Sequence, residues 1–375
     1  MRRFLLASLI AVAGILISNP CGLRAADEKK GGAEQDKVEK SIERGLEYLR
    51  KTQQSDGHWD AGQGQYPTVM TGMAGLSLLM EGSTCREGKY SEAISKAVDW
   101  FLKREKDSGI LGAADNPTEG GRYIYGHGFA MLFLACAYGE EEDPETRKKL
   151  ERVLKKAVQF SCKAVTTKGG WGYVSGKDGG DFDEGSTTVT QLQGLRAARN
   201  AGIAVPKETI DKATEYLRKC TTPRGGLIYN LTSGGIAQSG SECQAITAAA
   251  CACAFSSGNY NDKHAAMWVK YCKDVMYMKG RTNGFDEYSN YYFGQVVYVL
   301  GDDRYQKVID PDAKKENSIL WSDYKKHMFA HFLSTQGSDG GWNAGGSWGV
   351  GPIFATSTAL TILQLEKNIL PFYPR

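Results

Sequence analysis

Six times along this chain, a charged amphipathic segment is followed by one that is apolar or small on every side. VEKSIERGLEYLRK opens the series and places Val38, Ile42, Leu46 and Leu49 on one helical face. AISKAVDWFLKR, LERVLKKAVQF, TIDKATEYLRK, AAMWVKYCKDVMY and DYKKHMFAHFLS repeat the pattern. Between them lie TVMTGMAGLSLLM, GHGFAMLFLACAYG, STTVTQLQGLRAARNAG, SECQAITAAACACAF, SNYYFGQVVYVLG and ATSTALTILQL. A helix that is apolar all round must be buried all round. Most of these inner segments open on Thr, Ser or Gly, which suit a helix N-cap. Six such helices do not fit one small bundle core, but they can form an inner ring backed by six amphipathic helices. An open solenoid of helix pairs has a polar concave face, and these segments are too apolar to line water. The expected fold class is therefore all-α: an α/α toroid, a six-fold α/α barrel of roughly 50–60 residues per repeat over 37–375.

What precedes the first repeat reads differently. MRR, an apolar run FLLASLIAVAGILI and a small-residue exit near Ala25 or Ala26 have the layout of a secretory signal peptide over 1–26. The run is short for a membrane span of about 20 residues, and no later segment is long and apolar enough to be one. Export to the periplasm or the extracellular space is the expectation. Residues 27–36, DEKKGGAEQD, read as a flexible arm. The cysteines after the leader sit among Ala, Leu and Phe, without CxxC spacing, so free buried thiols are expected. Lys+Arg 46 against Asp+Glu 43 gives +3, too balanced for a nucleic-acid binder.

The loops between outer and inner helices carry a signature. EYLRKTQQSDGHW in the first repeat and HFLSTQGSDGGW in the sixth share an aromatic-Leu pair, a Gln and Gly-x-Trp. GGWGY at 169–173, RGGLIY at 224–229 and NGFDEY at 283–288 are variants. These units resemble the QW-type repeat of squalene cyclases and protein prenyltransferase β subunits. The chain is similar to exported bacterial proteins of the prenyltransferase/squalene-oxidase repeat group, over nearly all of its mature length. The resemblance implies a toroid with a central cavity opening at the loop end. Fold alone does not carry the chemistry with it.

DFDE at 181–184 is similar to the D-x-D-D motif whose middle Asp protonates an alkene or epoxide in class II terpene cyclases. The resemblance implies Asp183 as the acid, with Asp181 and Glu184 as neighbours. Clustered carboxylates hold a proton to higher pH, whereas the helix N-terminus favours the ionised form. Glu184 replaces the family's last Asp, and a solvated acidic loop accounts for the segment as well. Prenyl transfer is not expected: Asp286 in FDEYSNYYFGQ is followed by Glu287 with no Cys nearby, so neither zinc nor another cofactor is called for. Cys243 and Gln244 are adjacent, which rules out a thioester of the Cys-x-x-Gln kind. His127 beside Tyr125 has two readings, a ligand-facing acid or base and a helix-end His bonded to a loop. Tyr125, His127, Tyr173, Tyr288, Tyr291, Tyr292 and Trp348 are the pocket candidates, with aromatic faces suited to an isoprenoid, a carbocation or a sugar. Trp59, Trp171 and Trp342 read instead as repeat-closing core.

Three functions follow in order. The first is an apolar small-molecule ligand, isoprenoid or lipid, bound in a deep cavity lined by Met, Phe and Tyr, with cyclase-type acid chemistry as its catalytic extension. The second is a carbohydrate-active barrel, which needs paired carboxylates; Asp183 with Asp286 or Glu287 is the available pair. The third is a scaffold with a filled barrel and a protein partner of unknown kind.

Overall fold

The computed structural model describes residues 21–232, 238–258, 260–277, 286–343 and 350–370, without the side chains of 21–31, Ala33 and Asp286. Twelve helices alternate as the segments do. The outer set is α1 (Cys21–Thr52), α3 (Ser91–Lys103), α5 (Pro144–Ala164), α7 (Lys207–Lys219), α9 (Lys263–Val275) and α11 (Trp321–Thr335). The inner set is α2 (Pro67–Leu79), α4 (Tyr123–Glu140), α6 (Gly185–Asn200), α8 (Gln244–Ser256), α10 (Asp286–Leu300) and α12 (Gly351–Gln364). Each inner helix packs on the next, and α12 packs back on α2, so the ring closes. Every residue of α2 is buried, whereas α7 buries only Thr209, Ala213, Tyr216 and Leu217. The two sequence patterns thus mark the two layers. Residues 27–36 form early turns of α1.

Gly-x-Trp has a mechanical explanation. The indole Nε1 of Trp59 donates to Leu49 O (2.7 Å), that of Trp171 to Ser161 O (2.9 Å) and that of Trp342 to Phe332 O (2.9 Å). Each bond reaches the outer helix ten residues back. The backbone N–H of the same residues donates to a threonine of the following inner helix: Thr71 (3.0 Å), Thr188 (2.9 Å) and Thr356 (2.9 Å). Leu227 does the same with Thr247 at 2.9 Å. One loop residue therefore ties both layers together. The glycine two positions earlier presses on the next outer helix. A Cβ on Gly57 would lie 2.3 Å from Lys96 O, and one on Gly109 2.3 Å from Lys156 O; both have positive φ, at +103° and +82°. Gly340 meets Arg44 of α1 in this way, joining the last repeat to the first. Gln53 and Gln336 add amide bonds to Ala93 O (2.8 Å) and Ser41 O (2.9 Å) of the next outer helix.

The caps differ from the sequence expectation. No Ser or Thr side chain caps an inner helix among the described residues whose caps are defined. Glu184 caps α6. Glu119, from the second repeat, accepts from the N–H groups of Thr68 (2.8 Å) and Val69 (3.4 Å) at the start of α2. The Thr residues near these ends bond to the loop Trp instead. The eight cysteines from Cys85 onward are free thiols, five of them buried, as their apolar neighbours suggest.

Candidate functional site

His127 occupies the position of the layer-tying threonine in the second repeat. Leu111 N–H donates to its Nδ1 (3.0 Å), and its Nε2 lies 3.1 Å from Ala157 O of α5. The carbonyl only accepts, so Nε2 carries the proton and the ring is neutral. Burial lowers its pKa to about 4, with the bond to Ala157 opposing. These two bonds match the loop-bonded one of the two sequence readings, and they turn the ring toward the outer layer. The folded-state pKa lies below the ordinary value near 6.5. His127 therefore contributes stability that is full above about pH 6.5 and is lost as pH falls toward 4. Urea melts between pH 7 and 4 are expected to show this loss, and a His127→Thr variant is expected to show less of it.

The three DFDE carboxylates go to three different places. Asp181 has φ +60° and binds Thr167 N–H (2.7 Å), the Thr167 hydroxyl and Lys168 Nζ (3.2 Å). The Thr167 hydroxyl and these neighbours hold its pKa down. Asp183 is buried and accepts from Leu231 N–H (2.9 Å) and the Thr232 hydroxyl, with Lys168 Nζ at 3.7 Å. Its other neighbours, Tyr216 and Cys220, belong to the end of outer helix α7. Asp183 thus points between the layers and links two loops. Glu184 is also fully buried and accepts from Ser186 N–H (2.7 Å), Ser186 Oγ (2.6 Å) and the Thr187 N–H and hydroxyl. Burial raises its pKa while these four donors oppose. The extended backbone at Glu184 turns adjacent side chains to opposite sides. Glu184 accordingly acts electrostatically on Tyr125, Tyr229 and Tyr288 on the inner side.

The tyrosines converge. Tyr288, Tyr291, Tyr292 and Gln295 follow i, i+3, i+4, i+7 along α10, one face of a helix. Two of them meet α4, which stands opposite α10 in the six-membered ring. Tyr125 lies 6.4 Å from Tyr288, and Phe129 6.1 Å from Tyr291, between ring centroids. Tyr292 packs edge-on to Tyr288 (4.9 Å) and Tyr291 (4.8 Å). Helices that are not neighbours thus touch across the axis. In place of the deep cavity expected from sequence, aromatic rings bridge the lumen. Tyr125 and Tyr288 remain half-buried, and Tyr291 and Tyr292 are buried. Close helix contacts narrow the ring: a Cβ on Gly72 would lie 2.9 Å from Phe129 O, and one on Gly128 2.7 Å from Thr190.

At the loop end, Ile124 N–H donates to Tyr173 O (3.1 Å) and Gly185 N–H to Tyr229 O (2.9 Å). The Tyr173 and Tyr229 hydroxyls bond to each other, and the Arg122 guanidinium lies 5.4 Å from the Tyr173 ring. Tyr173 therefore stands on the rim, at the Tyr125 end of the α4–α10 stack. Trp348 and the side chain of Asp286 lie outside the described residues, and Glu287 is partnered. Sequence reasoning missed Phe129, Gln193 and Gln295. The two glutamines, Gln191 and Gln193, of the buried segment STTVTQLQGL, and the i+7 spacing of Gln295 from Tyr288, were the available signs. Among the described residues, no three His, Cys, Asp or Glu side chains gather as metal ligands, and no helix is long and apolar enough to cross a membrane. A groove of about 340 Å³ lies on the outside of the ring, against α1 and the 81–90 loop, away from these aromatics.

The comparisons with known proteins agree with the architecture. No known family profile matches the chain. A segment of 87 residues, 23% of this chain, is 29% identical to human lanosterol synthase (Homo sapiens) and spans 12% of that protein. A type II terpene cyclase from Scytonema superposes with a TM-score of 0.54 at 14% identity, covering 89% of this chain and 100% of the cyclase. The α-1,6-mannanase of Salegentibacter sp. HEL1_6 superposes with a TM-score of 0.58 at 10% identity, covering 88% of this chain and 99% of the mannanase. At these identities the likeness is one of fold. The chain is an all-α toroid of squalene-cyclase-like architecture.

Proposed function

We propose that this toroid binds an apolar ligand of isoprenoid or lipid type at the aromatic stack between α4 and α10. The observation that carries the reading is the meeting of Tyr125 and Phe129 with Tyr288 and Tyr291 across the ring. Five aromatic rings from opposite walls, two of them half-buried and nearest the loop end, make a floor for an apolar chain entering there. The lanosterol synthase segment and the terpene cyclase fold support the same ligand class. Acid catalysis by Asp183 finds no support in the geometry, because that carboxylate is committed to Leu231 and Thr232 on the outer-layer side. The reading is thus of a binding protein, exported as its leader-like N-terminus suggests.

The mannanase-like fold supports the carbohydrate alternative, but the carboxylates of Asp183 and Glu184 are each taken up by donors of the neighbouring loop or of α6. The scaffold alternative draws on the bridged lumen. Titration with squalene-like and C15 isoprenoid probes, followed by tyrosine fluorescence, separates these readings. Micromolar binding by the native chain is expected, with a loss of about tenfold or more in Tyr125→Ala and Tyr288→Ala as aromatic area is removed. Binding of α-mannosides in place of isoprenoids, or of neither, contradicts the proposal.

A further inference from the structure

The aromatic stack ends in an amide relay. Gln295 Nε2 donates to Tyr291 O (2.8 Å), which turns its Oε1 outward from that carbonyl. That oxygen accepts from Gln193 Nε2 of α6 at 3.2 Å. Helix α8 stands between α6 and α10 in the ring, so this bond too crosses the lumen. The direction of the relay is set at its first step, because a backbone carbonyl can only accept. The relay therefore leaves one unused group at its far end, the acceptor Oε1 of Gln193. This atom is buried and has no partner. The hydroxyl of Tyr292, on the same face of α10 and one turn from Gln295, is buried beside the Tyr288 hydroxyl, and its own proton has no acceptor. Burying a polar group unpaired costs about 1–3 kcal/mol, and protein interiors rarely leave such groups unsatisfied.

We infer that the ligand carries a hydroxyl group, which donates to Gln193 Oε1 and accepts from Tyr292 Oη while its apolar chain lies along the α4–α10 aromatics. This rests on the lumen-binding reading and narrows its ligand class from hydrocarbons and lipids in general to isoprenoid or lipid alcohols. No carboxylate enters the contact: Asp183 faces the outer layer, and Glu184 is occupied by its own helix cap. A cationic ligand would find no counter-charge there.

Farnesol and its methyl ether test the inference, since the ether keeps the chain and an acceptor oxygen but has lost the donor. Calorimetric titration of the full mature chain is expected to show farnesol binding about tenfold more tightly than the ether, or better. In Gln193→Leu the ratio is expected to fall toward one, with affinity for the ether nearly unchanged. Tyr292→Phe, which removes one oxygen atom and keeps the ring, is expected to weaken farnesol more than the ether. It guards against a packing defect in the Gln193 variant, and thermal melts report folding of both. Equal affinity of the native protein for both probes overturns the hydroxyl assignment, leaving the two buried groups to water, while the apolar site stands. A preference for farnesol that survives both substitutions overturns the residues named. Binding of neither probe removes this inference together with the proposed function.

Discussion

Trp171→Ala is expected to destabilise the protein by about 3–5 kcal/mol, with a fall in Tm on the order of 10 °C. The indole is fully buried. Its removal leaves a cavity where two layers meet and strands Ser161 O, which accepts the Nε1 proton at 2.9 Å. The backbone bond from residue 171 to Thr188 Oγ1 survives, so the loss is of volume and of one hydrogen bond. Trp171→Phe separates the two contributions. It keeps most of the apolar area and is expected to cost about 1–3 kcal/mol, the range for a stranded buried acceptor and a smaller ring. Circular-dichroism melts and urea titrations of the two variants give the comparison. A cost below 1 kcal/mol for the alanine variant contradicts the reading of this residue as the tie between outer and inner rings.

Gly109→Ala is the second large expected effect. Gly109 has φ +82°, a conformation that costs an L residue about 1–2 kcal/mol. A Cβ there would also stand 2.3 Å from Lys156 O and 2.6 Å from its carbonyl carbon. Backbone is on both sides of that contact, so relief requires moving the loop away from α5. The overpacking adds about 1–3 kcal/mol, for a total of roughly 2–5 kcal/mol. Gly202 supplies the control. Its φ is +89°, yet nothing lies within 4 Å of a Cβ built on it. Gly202→Ala is expected to cost the backbone share alone. Equal destabilisation of the two variants in urea contradicts the claim that the repeat glycine seats each loop on the next outer helix.

The alternation of amphipathic and all-apolar segments made the ring legible before any motif, because full burial of six helices leaves few arrangements. Val38, Ile42, Leu46 and Leu49 are buried as their spacing requires. The aromatic candidates on α10 were named from their residue type and their place near an inner-helix start, and their sharing of one helical face is a feature of the helix. The role of the DFDE carboxylates was not. A motif gives residue types in order but not the turn of an extended backbone, and that turn sends Asp183 outward and Glu184 inward. His127 was ambiguous because its partners, Leu111 and Ala157, lie 16 and 30 residues away. Its equivalence to Thr71 and Thr188 emerges only when the loops are aligned by their bonds. The bridged lumen was hidden too, since the width of a ring depends on glycine contacts such as Gly72 with Phe129, which no periodicity displays.

The central claim, that the α4–α10 aromatics hold an apolar ligand, is tested most directly by native mass spectrometry of residues 27–375 purified without detergent. Solvent extraction of anything bound, and the same experiment on Tyr288→Ala, complete the measurement. The account predicts a discrete mass excess that extracts as an isoprenoid or lipid, regenerates on adding that compound back, and is lost in the variant. A native chain that carries no such mass and takes up no isoprenoid, while folding normally, contradicts it.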